Sequence, residues 1–115
     1  MITIKLYIPL HDNDGIEKMN VHRDFIWRMK CMNKVIEDFI GGFTVSEAVG
    51  HWFDNDTHYE DKQRIYEFHV PDESESYLEV EQFLRAQAKI MCKQLKQECI
   101  YMTIDNQQHF ITEDK

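Results

Sequence analysis

The side chains best equipped for chemistry crowd into one stretch: His51, Asp54, Asp56, His58, Glu60 and Asp61. Imidazoles beside carboxylates hold divalent cations or exchange protons. Asp54, Asp56, His58 and Glu60 imitate the alternating ligands of a calcium loop. That loop's central glycine would fall at Tyr59 and its bidentate glutamate at Ile65, so calcium fails. Two histidines and a carboxylate suit zinc better, yet no HExxH or CxxC spacing accompanies them, and a solvated hairpin turn accounts for the same residues. Spacing therefore predicts no metal.

Two polar pairs that carry carboxylates stand at the entrances of extended segments. Glu60-Asp61 lies just ahead of the alternating run from Arg64 to Val70, and Gln97-Glu98 leads into Cys99-Ile100-Tyr101. Each pair has a plain reading as solvated surface. Strands that follow them as sheet neighbours or near neighbours would bring both within reach of one pocket. Gly41-Gly42-Phe43-Thr44-Val45 has no lysine after its glycines and precedes a strand, which speaks against a phosphate loop. No serine or cysteine sits in a nucleophile motif. Cys92 and Cys99 read as core thiols, and three dispersed cysteines including Cys31 argue against a disulfide framework and for a reducing cytoplasm.

The elements that must position these groups are legible from periodicity. Ile2, Ile4, Leu6 and Ile8 alternate with Thr3, Lys5 and Tyr7, giving a strand that ends at Pro9. His11 to Gly15 makes a loop. From Asn20, a capping residue, Val21, Phe25, Met29, Met32, Ile36 and Phe39 recur at helical spacing until Gly41-Gly42. Phe43 to Phe53 reads as a bent or bulged strand, interrupted at Ser46-Glu47-Ala48 and Gly50. A polar turn from Asp54 to His58 then joins it in a hairpin to the strand carrying Tyr66, Phe68 and Val70.

Ser76-Tyr77-Leu78-Glu79 fits a capping box and opens a second helix, about 77–96, whose stripe is Val80, Leu84, Ala88, Met91 and Leu95, widened by Phe83 and Ile90. Ile100, Met102 and Ile104 mark a last main strand, and His109-Phe110-Ile111 can extend the sheet. The order β-α-β-β-α-β predicts one α+β domain over residues 1–115. Its expected form is a ferredoxin-like sandwich with two helices on one face of a four-stranded antiparallel sheet. Tyr7, Ile65 and Tyr101 then lie on the other face, which needs a ligand or another subunit to cover it.

Composition bounds the partners. The 115 residues carry 21 Asp plus Glu against 13 Lys plus Arg, a net charge of -8, which disfavours binding to nucleic acid through a basic face. A hydrophobic content of 43% supports a real core, although mean hydropathy is -0.56. No apolar run approaches the ~18 residues of a membrane span, and the opening strand does not resemble a signal peptide. The expectation is a cytoplasmic protein with no membrane partner.

The order of features resembles the phage-encoded S-adenosylmethionine (SAM) lyases. The resemblance runs from about Thr3 to Phe110. It lies in an opening strand and long helix, Gly42-Phe43-Thr44-Val45 leading to Gly50-His51-Trp52, Glu60-Asp61-Lys62 before an alternating strand, and a helix closing on Lys96-Gln97-Glu98-Cys99-Ile100-Tyr101. Tryptophan stands here where the family's tyrosine is familiar, and the loop before Glu60 differs in length. The resemblance implies a ferredoxin-like homotrimer with sites between subunits, located in the host cytoplasm. It implies substrate-binding roles for Trp52, Gln97, Phe43 and His51, and a catalytic carboxylate at Glu60 or Asp61, without deciding between those two.

The chemistry implied is release of methylthioadenosine as the substrate's own carboxylate closes a homoserine lactone, with no metal and no cofactor. The substrate is SAM itself or an adenylated SAM signal (SAM-AMP). What a protein adds to such a displacement is orientation and exclusion of water. The net charge of -8 suits a cationic ligand. The competing expectation is a non-enzymatic phage module of the same fold that binds a nucleotide or a protein, as an anti-defence inhibitor would. Convergence of Trp52, Glu60 or Asp61, and Gln97 on one pocket distinguishes the two.

Overall fold

The structure is a computed structural model that describes residues 1–31, 40–71 and 74–113. Its strands are β1 (Ile2–Pro9), β2 (Phe43–Asp54), β3 (Thr57–Val70), β4 (Ile100–Ile104) and β5 (Gln107–Ile111). The helices are α1 (Met19–Cys31) and α2 (Ser74–Gln94). The strands form one antiparallel sheet in the order β2-β3-β1-β4-β5. This is the α+β, ferredoxin-like arrangement with five strands instead of the expected four. The fifth forms because Asp105 and Asn106 both accept positive φ (47° and 70°), as a two-residue turn between twisted strands requires. Asp105 also anchors that turn to β1, its carboxylate accepting from the Thr3 amide at 2.8 Å.

Alternation sorts the sheet into two faces. Ile4, Leu6, Ile8, Tyr66, Phe68, Ile100 and Met102 are buried with Val21, Phe25 and Met29 of α1 and Val80, Leu84, Ala88 and Met91 of α2. The stripes predicted for both helices are thus the core, with Leu95 just past the end of α2. Met32, Ile36 and Phe39 lie outside the described residues. Ile90 is 40% exposed, so it does not widen the α2 stripe, whereas Phe83 packs against the core. Helix α2 starts at Ser74, which puts Ser76 inside the helix and not at its cap. Among the described residues, no helix is long and apolar enough to cross a membrane.

The hairpin departs most from expectation. The β2 to β3 register runs unbroken from Phe43↔Phe68 to Asp54↔Thr57, so β2 is one continuous strand without a bulge, and Asn55-Asp56 alone makes the turn. Glu60 and Asp61 consequently lie within β3, not ahead of it. Pairing of β1 with β3 stops at Pro9↔Gln63. Beyond that point the two strands continue as a free ribbon, exposed at every residue from His51 to Glu60. This arm contributes to a shape of 47 × 27 × 27 Å.

Candidate functional site

The sheet face away from the helices carries a cavity of about 730 Å³. Its floor is a row of aromatic rings set by register: Tyr7 of β1 opposes Tyr101 of β4, which opposes Phe110 of β5. Tyr7 and Tyr101 have ring centroids 4.8 Å apart, and Tyr101 and Phe110 5.5 Å apart. The arm supplies one wall. Trp52, Asp61 and Gln63 alternate onto the same face as Tyr7, because Gly50 pairs with Asp61 and Trp52 with Tyr59. Gly50 leaves room there: a Cβ on it would sit 3.1 Å from the Gln63 Nε2 and 3.4 Å from the Trp52 Nε1.

The opposite wall begins where α2 ends. Lys96 takes a positive φ of 52°, its amide donates to the Lys93 carbonyl and the Gln97 amide to the Cys92 carbonyl. Together these bonds form a Schellman stop, here without the usual glycine. The stop turns the chain so that Gln97, Glu98 and Cys99 line the cavity. The loop between β1 and α1 is tied to the same corner. Asn13 donates its amide to the Leu95 carbonyl at 3.1 Å, and Asp14 pairs with Lys96 at 2.9 Å. Asp12 organises that loop, its buried carboxylate accepting from the Asp14 and Ile16 amides. Those amides, chiefly that of Ile16, hold its carboxyl below the ordinary range against the cost of burial.

A second cleft of about 650 Å³ adjoins the cavity and shares Asn13, Trp52, Asp61 and Gln97 with it. Glu60 borders only this cleft. Strand alternation sends Glu60 to the same face as His51, while Asp61 faces the aromatic floor and is partly buried. Desolvation pushes the Asp61 carboxyl above its ordinary 3.8, opposed by the charge of His11. The structure therefore brings Trp52, Asp61 and Gln97 together. Phe43 packs instead on Tyr66 and Phe68 at the core edge, and His51 pairs with His58 on the far face of the arm.

Asn13, Gln63, Gln108 and Phe110 line the cavity although no sequence motif marks them as site residues, and strand alternation alone places Tyr7 and Tyr101 on the uncovered face without marking them as a binding floor. Cys99 is half-buried at the cavity wall and is not a core thiol, whereas Cys92 is buried and its thiol donates to the Gln97 carbonyl at 3.2 Å. The described lining contains two carboxylates, Asp61 and Glu98, and neither lysine nor arginine. Such a cavity attracts a cation, and its aromatic rings can stack on a planar heterocycle or face a positive centre.

Neither a known protein-family model nor a curated protein sequence matches the chain. Two solved structures share its fold. A phage SAM lyase in its apo state matches with a TM-score of 0.67, covering 96% of this chain and 88% of the other at 14% identity. A phage SAM lyase in complex with S-methyl-5'-thioadenosine matches with a TM-score of 0.63, at the same coverages and identity.

Proposed function

We propose that the protein is a carbon-sulfur lyase acting on SAM, with its site in the cavity between Trp52, Asp61 and Gln97. The observation that carries this reading is the lining itself: an aromatic floor, two carboxylates and no basic side chain. A sulfonium nucleoside bearing an ammonium group matches that lining. A nucleoside polyphosphate, with several negative charges and no cationic centre, does not. The shared fold with two phage SAM lyases supports the same reading.

In this mechanism a carboxylate oxygen of the bound substrate attacks its own γ-carbon. The new C–O bond closes homoserine lactone while the C–S bond breaks, and the electron pair leaves on sulfur as methylthioadenosine. No proton moves and nothing is oxidised, so the protein needs neither a nucleophile nor a base. Its task is to hold the chain folded with carboxylate and γ-carbon aligned, which for a well-oriented intramolecular reaction can supply roughly 7–11 kcal/mol of the barrier. Asp61 anchors the cationic or hydroxyl-bearing part of the substrate. Trp52 stacks on the adenine or faces the sulfonium, and Gln97 bridges polar groups.

The protein acts as a homotrimer in this reading. Trp52, Phe53 and Tyr59 are 61%, 77% and 54% exposed on the arm, and the cavity opens on an uncovered sheet face. A neighbouring copy would cover both, completing sites between subunits. Incubation with SAM, and separately with its adenylated form, followed by chromatography tests the activity. Methylthioadenosine, or the adenylated product's counterpart, together with homoserine lactone is expected. Absence of turnover on both, combined with tight binding of either, would replace the lyase by a non-enzymatic ligand-binding module.

A further inference from the structure

On the face of the arm that turns away from the cavity, His51, His58 and Glu60 present ligand atoms that all lie within 4.8 Å of one another. The hairpin register makes this cluster. His51 pairs directly with Glu60, His58 is its diagonal neighbour two residues along β3, and such cross-strand positions bring side chains on one face into contact. No familiar ligand spacing shows in the sequence because His51 joins His58 and Glu60 only across the hairpin, through the strand register.

The rings are already arranged as ligands. His51 Nδ1 and His58 Nε2 face each other at 2.8 Å, with ring centroids 5.1 Å apart and planes 17° from parallel. Phe53, the direct partner of His58, stacks on its imidazole at 4.8 Å and 9°, fixing the ring's orientation. In the metal-free protein one facing nitrogen donates its proton to the other. A cation takes that proton's place once the donor ring shifts to its other tautomer. The charge of Glu60 offsets part of the cation's, and a fourth tetrahedral position stays open. Two imidazoles and one carboxylate are a donor set for zinc and its first-row neighbours, not for calcium or magnesium.

We propose that His51, His58 and Glu60 form a zinc-class metal site that clamps the two strands of the arm. The site is distinct from the cavity: strand alternation turns its three ligands to the face opposite Asp61 and Trp52, and Glu60 borders only the adjoining cleft. It does not depend on the lyase reading. Its effect is to stiffen the ribbon that carries Trp52, the part of the hairpin with no third strand beside it.

Zinc titration of chelator-stripped protein, followed by calorimetry and by competition with a chromophoric chelator, tests this directly. One zinc per chain with micromolar or tighter affinity is expected. His51→Ala and His58→Ala should each weaken binding on the order of 100-fold, and Glu60→Gln on the order of 10-fold, as loss of one of three donors demands. His69→Ala, a remote exposed histidine, should leave it unchanged. Cobalt in place of zinc should give the intense visible bands of a four-coordinate ion. Each exposed variant is checked for native circular dichroism. Millimolar affinity, unchanged binding in His58→Ala, or equal loss in His69→Ala would overturn the site.

Discussion

Tyr66→Phe removes one oxygen from the centre of the molecule and nothing else. Its hydroxyl lies 2.7 Å from His22 Nδ1, and His22 Nε2 lies 2.8 Å from the Pro9 carbonyl. With Nε2–H donating to Pro9, Nδ1 must accept from Tyr66. Both side chains are fully buried, so no water replaces the lost donor. The phenyl ring keeps its edge contact with Phe25 at 4.9 Å, which removes packing as an alternative cause. The buried His22 acceptor left unpaired, together with the lost bond between the same hydroxyl and Arg64, costs about 1–3 kcal/mol. For a domain of this size that lowers the melting temperature by roughly 5–15 °C.

Urea unfolding followed by circular dichroism should show the loss as a lower midpoint at unchanged slope. The same bond has a pH signature. Desolvation, aided by the Arg64 charge and opposed by the Pro9 carbonyl, holds the His22 imidazole below its ordinary 6.5. The unfolded chain therefore binds the proton first as pH falls. The stability contributed by neutral His22 is complete above pH 6.5 and declines below it, through the lowered folded value. A Tyr66→Phe protein within about 0.5 kcal/mol of wild type, or an NMR titration of His22 with a midpoint above 6.5, would refute this account. The consequence reaches the site, because Pro9 lines the cavity.

Asp61→Asn should lower turnover of SAM on the order of 100-fold with fold and oligomer intact, while Glu60→Gln changes it little; equal retention by both variants would remove Asp61 from the site. Because Asp61 must be charged and its carboxyl is raised by desolvation, activity should fall with acidification at a pH above the 3.8 of an ordinary aspartate, seen as a single inflection in the pH-rate profile. Gly50→Ala should weaken product binding several-fold with little change in stability, since the new methyl meets the flexible end of Gln63 and the edge of the exposed Trp52 indole; calorimetric titration with methylthioadenosine measures it. Light scattering should give three times the 13.9 kDa chain mass, and a monomer mass at micromolar concentration would refute the trimer.

The core was legible because one-sided burial writes a period into the sequence. Val80, Leu84, Ala88 and Met91 recur as a helix facing a sheet must, and Tyr66, Phe68 and Val70 alternate for the same reason. The arm carried no such period. From Thr57 to Glu60 both faces of β3 are exposed, so polar residues stand on each, and a strand there reads as a turn. The choice between Glu60 and Asp61 needed the register, since adjacent strand residues point to opposite faces. Gln97 is delivered by a Schellman stop with lysine at the left-handed position, which gives no glycine to read. Helix α2 begins at Ser74, two residues ahead of the capping-box motif that marked it.

The free ribbon beyond Pro9↔Gln63 separates two kinds of evolutionary pressure. Residues from His51 to Glu60 bury nothing in the core, so replacing them costs little folding energy. Yet Trp52 stands over the cavity from that same ribbon. Ligand preference can therefore drift by mutation in the arm while the aromatic floor and helices stay constant, a division that lets a lineage explore new substrates without crossing a stability threshold. A library randomised at Trp52, Tyr59 and Glu60 should accordingly contain mostly folded members.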